Sequence, residues 1–331
     1  MDNETKNLLE QFNQQVPETN EAEVVVDMNR IRAGAREMFL SLAGETHANG
    51  KVESIDIPAL NYVIPARVYY PEQEKPDGTL LPTVIFLHGG GWSLGDLDCY
   101  HDLMRALADL SGAIFISVDY RLSPEFKYPS GLDDAYDATR WVFDNVASLG
   151  GDHTKLAIMG DSAGGNLALI VAHRLHQNTL LRLVALYLIY PVLDVHSPHE
   201  TYQSRLDFGD GQYLRVASLK KAGGVMAGVA GVFLGAQFKP TRKWLLGDPE
   251  ISPMFLPMLE QLPTTTILVA GYDPLRDEGD IFAGKLKRAG SLARFNCFDS
   301  TIHAFLSFGV LDVSQQARQY LANAIQTDLF S

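Results

Sequence analysis

A serine between two nearby glycines is the first place in this chain where residue types suggest chemistry. Ser162 lies in Gly160-Asp161-Ser162-Ala163-Gly164. A short apolar run at 156–159 precedes it, and a helix-like stretch at 163–176 follows. Between a strand and a helix, G-x-S-x-G makes a sharp turn that lifts the hydroxyl clear of a sheet. The serine backbone is strained, and only small residues tolerate the close approach on either side. The helix N-terminus also favours negative charge developing there. The chemistry would be acyl transfer, with Ser162 as nucleophile. The motif alone is weakly specific, because a serine in front of a helix can simply cap it.

Its companion is His88-Gly89-Gly90-Gly91-Trp92, directly after an apolar run at 83–87. Acyl transfer needs donors aimed at the oxyanion of a tetrahedral intermediate. Side chains would crowd the substrate carbonyl, whereas glycines let backbone N–H groups reach it. The expected donors are Gly89 and Gly90, with Ala163 after the nucleophile. Losing one such donor costs about 3–4 kcal/mol of transition-state stabilisation. His88 is expected to shape the loop by hydrogen bonds, not to act as the base.

A serine hydroxyl needs a base, and the base needs an acid to hold its tautomer. Behind a strand–serine–helix turn of this type they follow in the order serine, acid, histidine. His303 comes after the last predicted strand and before the final helix. His173 and His176 belong to the helix after the nucleophile and are expected at the surface. His196 and His199 open a long irregular stretch and stay as weaker alternatives. Asp273 follows the strand-like 266–270 and Gly271-Tyr272, 30 positions before His303. It is the favoured acid, Asp277 is the second choice, and Asp280 lies nearby. All three could instead cap a helix starting near 279.

Positioning these groups needs a sheet. Strand-like segments fall at 54–57, 62–70, 83–87, 113–118, 156–159, 184–190, 266–270 and 294–298. Helical spacing appears at 101–111, stopped by Gly112, then at 132–146, 163–176, 279–289 and 313–325. Apolar runs alternating with amphipathic helices predict a mostly parallel sheet of about eight strands, with an antiparallel start and helices on both faces. The first fifty residues read as helical, with Val24, Met28, Ile31, Ala35, Met38 and Leu42 on one face. Residues 195–246 carry no clear strand. They read as a helical insertion over the C-terminal edge of the sheet, where sites form. The expected division is a catalytic domain, 51–194 and 247–331, under a cap made of 1–50 and 195–246.

Composition excludes several classes. The 331 residues carry 27 Lys and Arg against 40 Asp and Glu, a formal charge of -13. An acidic surface repels phosphate backbones, so no nucleic-acid partner is expected. Cys99 and Cys297 form no CxxC pair and are expected as free buried thiols. No metal ligand set is legible. The start of the chain shows no signal-peptide pattern, and the apolar stretch at 222–236 is too short to span a bilayer. A cytoplasmic location without a membrane span is the expectation. Gly279 to Gly284-Lys285 imitates a phosphate loop, but Leu286 stands where Ser or Thr is needed.

The two glycine motifs, together with Tyr120-Arg121-Leu122-Ser123-Pro124-Glu125, Asp273-Pro274-Leu275-Arg276-Asp277-Glu278-Gly279 and His303-Ala304-Phe305, resemble the hormone-sensitive lipase family of esterases, in its GDSAGG branch. The matches run in the family's order over roughly 83–310. Ser123 departs from the usual alanine. The resemblance implies an α/β-hydrolase fold with a helical cap, Ser162, Asp273 and His303 as a triad, no cofactor, and small-molecule esters of short to medium acyl chain as substrates. Trp92 and Phe305 are candidates to line the pocket. Amide or lactone hydrolysis by the same triad is the rival chemistry. A non-catalytic small-molecule receptor on this fold is the rival class, and an intact histidine argues against it. The strand near 294–298, if an exposed edge, could pair two copies into a homodimer.

Overall fold

The computed structural model describes residues 1–15, 28–46, 49–73, 78–176, 181–209 and 247–331. Its helices are α1 (Asn3–Gln15), α2 (Met28–Leu42), α3 (His101–Ser111), α4 (Ser130–Asn145), α5 (Ala163–His176), α6 (Gln203–Phe208), α7 (Arg276–Ala289) and α8 (Asp312–Leu329). Its strands are β1 (Val52–Pro58), β2 (Val63–Tyr69), β3 (Leu81–Leu87), β4 (Ile114–Val118), β5 (Gly151–Asp161), β6 (Ala185–Ile189), β7 (Thr264–Tyr272) and β8 (Leu292–Ile302).

They form one eight-stranded sheet in the order β1-β2-β4-β3-β5-β6-β7-β8. The β1–β2 and β2–β4 pairs are antiparallel, and every later pair is parallel. Side chains alternate across the pleat. Val84 and Phe86 face the layer holding α3 and α8, whereas Ile85 and Leu87 face the layer holding α4, α5 and α7. Both faces are covered over the centre of the sheet, which is why β3, β4 and β6 are almost wholly buried and mostly apolar. Gly112 ends α3 and Gly290 ends α7, each in the left-handed conformation.

The strand order sets the site. From β3 the chain steps outward to β4, then returns across β3 to β5 and continues the other way. The C-terminal ends of β3 and β5 therefore lie side by side at the switch point, where ligands of open α/β sheets bind. Leu87 pairs with Gly160, so the glycine loop after β3 meets the serine turn after β5. Likewise Tyr272 pairs with Ile302, bringing the ends of β7 and β8 together.

The N-terminal region is helical in its described parts, as its periodicity suggests, with α1 and α2. Asp2 caps α1 by accepting the Thr5 N–H at 2.7 Å, and among its residues of described burial Thr5 and Leu8 are buried. Helix α2 buries Phe39 against Tyr100 and Phe308. Its Arg32 holds the Ser93 and Ser123 carbonyls and the Glu125 carboxylate, and Arg36 pairs with Asp96 and Asp98. The helix thus lies over the loops that leave β3 and β4. At the other end of the sheet edge, α6 is fastened through Ser204 to Asp277 and through buried Arg205 to the Asp194 carbonyl. Val24, Lys220, Lys221 and the 222–236 stretch fall outside the described residues. Among the described residues no helix is long and apolar enough to cross a membrane. Cys99 is buried and free, while Cys297 is free but only half-buried, because it sits on the edge strand β8.

Candidate active site

Ser162 stands at the turn between β5 and α5 with φ of 54°, in the left-handed region. Its own N–H donates to the Ile189 carbonyl at 2.8 Å, and its carbonyl accepts from Val192 at 3.1 Å, so the strained turn is held from β6. Gly164 packs against the end of β3. A Cβ there would stand 1.9 Å from the Leu87 carbonyl oxygen, so the helix can approach the glycine loop only without a side chain.

The other two groups arrive on β7 and β8. His303 Nε2 is 2.9 Å from Ser162 Oγ, and its Nδ1 is 2.7 Å from Asp273 Oδ2. A carboxylate only accepts, so Nδ1 carries the proton and Nε2 presents its lone pair to the serine hydroxyl. The remaining Asp273 oxygen accepts the Leu275 N–H at 2.8 Å, which fixes the carboxylate plane at the start of α7. Asp273 is fully buried, and the His303 ring packs on Tyr190 with centroids 4.8 Å apart. Burial by itself would depress the imidazole. The Asp273 carboxylate, through its charge and its hydrogen bond, with help from Asp161 and Glu278, raises it above its ordinary value.

The sequence profile of the α/β-hydrolase fold matches residues 84–307, which is more than half of the chain. The chain belongs to the α/β-hydrolase family. Within it this hydrolase is 35% identical over 254 residues to carboxylesterase NlhH of Mycobacterium tuberculosis, covering 75% of this chain and 73% of that protein. It is 30% identical over 270 residues to an ethyl acetate hydrolase of Pseudomonas putida, covering 81% and 80%. A hyperthermophilic esterase from the archaeon Pyrobaculum calidifontis superposes with a TM-score of 0.83 at 33% identity, covering 99% of this chain and 98% of that one. This hydrolase is a carboxylesterase of the hormone-sensitive lipase type.

The glycine loop of the hydrolase differs from the sequence expectation at one donor. Gly89 N–H already donates to Asp161 Oδ1 at 2.6 Å and to the Tyr100 hydroxyl at 3.1 Å, so it is not available to an oxyanion. The Gly90, Gly91 and Ala163 N–H groups carry no hydrogen bond among the described residues. His88 is fully buried, stacks on Tyr120 with centroids 4.4 Å apart, and approaches the Gly89 carbonyl through Nδ1 at 2.8 Å. Burial pushes its imidazole down to about 4, so it is neutral and shapes the loop.

Other expectations resolve by position. Phe305 is completely buried between Tyr190 and Phe298, and Trp92 is 2% exposed within the core, so both pack the interior instead of lining an open pocket. Asp277 accepts the Ser204 N–H and pairs with Arg276, leaving no carboxylate oxygen directed at His303. His196 packs edge-on against Phe255. His173 and His176 are half-buried instead of exposed. Gly284 and Lys285 lie inside α7, and the Lys285 ammonium donates to the Met254 carbonyl. Among the described residues no group of His, Cys, Asp and Glu could hold a metal ion.

Two buried carboxyls near the site escaped the sequence reading. Glu278 accepts the Leu193 and Asp194 N–H groups at 3.0 and 2.6 Å, and burial pushes it up to about 8 despite Arg205. It ties the loop after β6 to α7 just behind Asp273. Asp161 is the second. Its position inside the serine motif was the available signal.

Proposed function

We propose that this hydrolase cleaves carboxylic esters of short to medium acyl chain through an acyl-enzyme on Ser162, with His303 as base and Asp273 as its partner. The observation that carries the reading is the unbroken line from Asp273 through His303 to Ser162 Oγ, with contacts of 2.7 and 2.9 Å. His303 Nε2 takes the hydroxyl proton as Oγ attacks the ester carbonyl. Asp273 stabilises the imidazolium without taking its proton. The Gly90, Gly91 and Ala163 amides receive the oxyanion, since among the described residues they carry no other hydrogen bond. The alcohol leaves with the proton returned by His303. Water then attacks the acyl-enzyme using the same base.

The acyl length rests on the resemblance and on the relative named for ethyl acetate. The cap reading, residues 1–50 with 195–246, is supported by α2 lying over the loops that leave β3 and β4 and by α6 packing on α7.

A p-nitrophenyl ester series from acetate through butyrate and octanoate to palmitate tests the proposal. The expected outcome is highest kcat/KM between acetate and octanoate, with palmitate slower. No hydrolysis of any member would overturn the ester reading, and a maximum at palmitate would overturn the acyl range.

A further inference from the structure

Asp161 is a carboxyl that the proposed mechanism does not use, placed where a carboxyl is costly. It is 1% exposed, and no cation pairs with it among the described residues. Burial pushes it up to about 7, against the opposing pull of the Gly89 N–H, His303 and the Tyr100 hydroxyl. The other titratable neighbours that feel its charge are Tyr120 and Tyr190. An apolar residue would meet no such penalty.

Its two oxygens are both engaged. Oδ1 accepts the Gly89 N–H at 2.6 Å, and Oδ2 accepts the Tyr100 O–H at 3.2 Å. The Tyr100 oxygen in turn accepts from the same Gly89 N–H at 3.1 Å, closing a triangle. The contact leaves no slack: a Cβ on Gly89 would stand 2.6 Å from Asp161 Oδ2. Beyond Gly89 the chain runs through φ of 108° at Gly90 and 61° at Gly91, a path that glycine follows without strain.

We propose that Asp161 is a positioning residue for ester hydrolysis, pinning the Gly89 N–H so that the next amides, Gly90 and Gly91, point where the oxyanion forms. Asp161 is covalently joined to Ser162 and hydrogen-bonded to Gly89. One side chain therefore sets the distance between the nucleophile and its donors. The inference rests on the reading of Ser162 as nucleophile. Because its oxygens are occupied and it is buried, Asp161 acts through the loop without touching substrate.

The test is steady-state hydrolysis of p-nitrophenyl butyrate by wild type, Asp161→Ala, Asp161→Leu, Asp161→Asn and Ser162→Ala, each checked for cooperative unfolding. Donor alignment matters in the transition state more than in the ground state. Asp161→Ala and Asp161→Leu should each lower kcat about 10- to 100-fold, less than outright loss of a donor, with KM within about threefold. Asparagine keeps an acceptor oxygen for Gly89, so Asp161→Asn should recover at least about tenfold of that loss. If alanine leaves a cavity that unfolds the protein, leucine, which fills the space without an acceptor, and asparagine still give the comparison. The inference is overturned by wild-type kcat in the leucine variant, by a loss carried by KM alone, or by asparagine as impaired as leucine. Those outcomes with an inactive Ser162→Ala leave the nucleophile reading intact, whereas an active Ser162→Ala overturns that reading itself.

Discussion

Replacing Ser162 by alanine should lower kcat for p-nitrophenyl esters by about a millionfold, the loss seen when a triad nucleophile is deleted. The expected residue of activity is a few thousandfold above water, supplied by the oxyanion donors and substrate positioning. Folding should be untouched. Among the described residues the Ser162 side chain makes one hydrogen bond, to His303, and the turn is held by backbone bonds to Ile189 and Val192. Alanine at φ of 54° carries a strain comparable to that of serine. An unchanged unfolding midpoint together with lost turnover is therefore the expected pair of results. Retained turnover would mean that another nucleophile is at work.

The second large effect is expected at Asp273. Asparagine fits the same space and can still accept from Leu275, but its amide can donate to His303 Nδ1. That donation favours the wrong tautomer, with the proton on Nε2, where it cannot receive the serine proton. A fall in kcat of about ten-thousandfold is expected. The pH profile should move as well. In the wild type Asp273 is the main influence raising His303 above its ordinary value of 6.5, so the neutral base is lost as pH falls through that raised value. With the charge gone, the imidazolium is less favoured. The acid limb of kcat/KM should shift to lower pH in Asp273→Asn, while the rate above it stays low. A variant with a wild-type rate, or an acid limb moved upward, would remove Asp273 from the role proposed. The same change at Asp277, which faces Ser204 and Arg276, should do neither.

The sheet and its helices were legible because their signals are local. The 101–111 and 163–176 helices coincide with α3 and α5, since apolar spacing and a stop at Gly112 mark the first and the serine motif starts the second. What lies next to what was not legible. The β3–β5 adjacency that brings Gly89 beside Ser162 depends on a crossover, and crossovers leave no trace in residue types. The misassigned donor has the same origin. A run of glycines shows that backbone amides can approach a ligand, but not that the first amide is already spent on Asp161. Phe305 and Trp92 follow suit, because next to a motif an aromatic residue serves equally well as wall or core, and only the contacts with Tyr190 and Phe298 assign Phe305 to the interior. Helix α1 carries a weaker apolar signal than α2, with Leu8 its buried apolar residue among those of described burial. Its end contacts, Asp2 with Thr5 and Ser300, supply much of its definition.

The most direct measurement is covalent labelling with a fluorophosphonate followed by peptide mapping. Such reagents form a tetrahedral adduct only on a serine that a base activates, with the phosphoryl oxygen in the donor site. The expected result is one adduct per chain, on the peptide containing Ser162, with loss of esterase activity in step with labelling and no adduct in Ser162→Ala. An adduct on a different residue, or undiminished labelling of the alanine variant, would contradict Ser162 as the nucleophile.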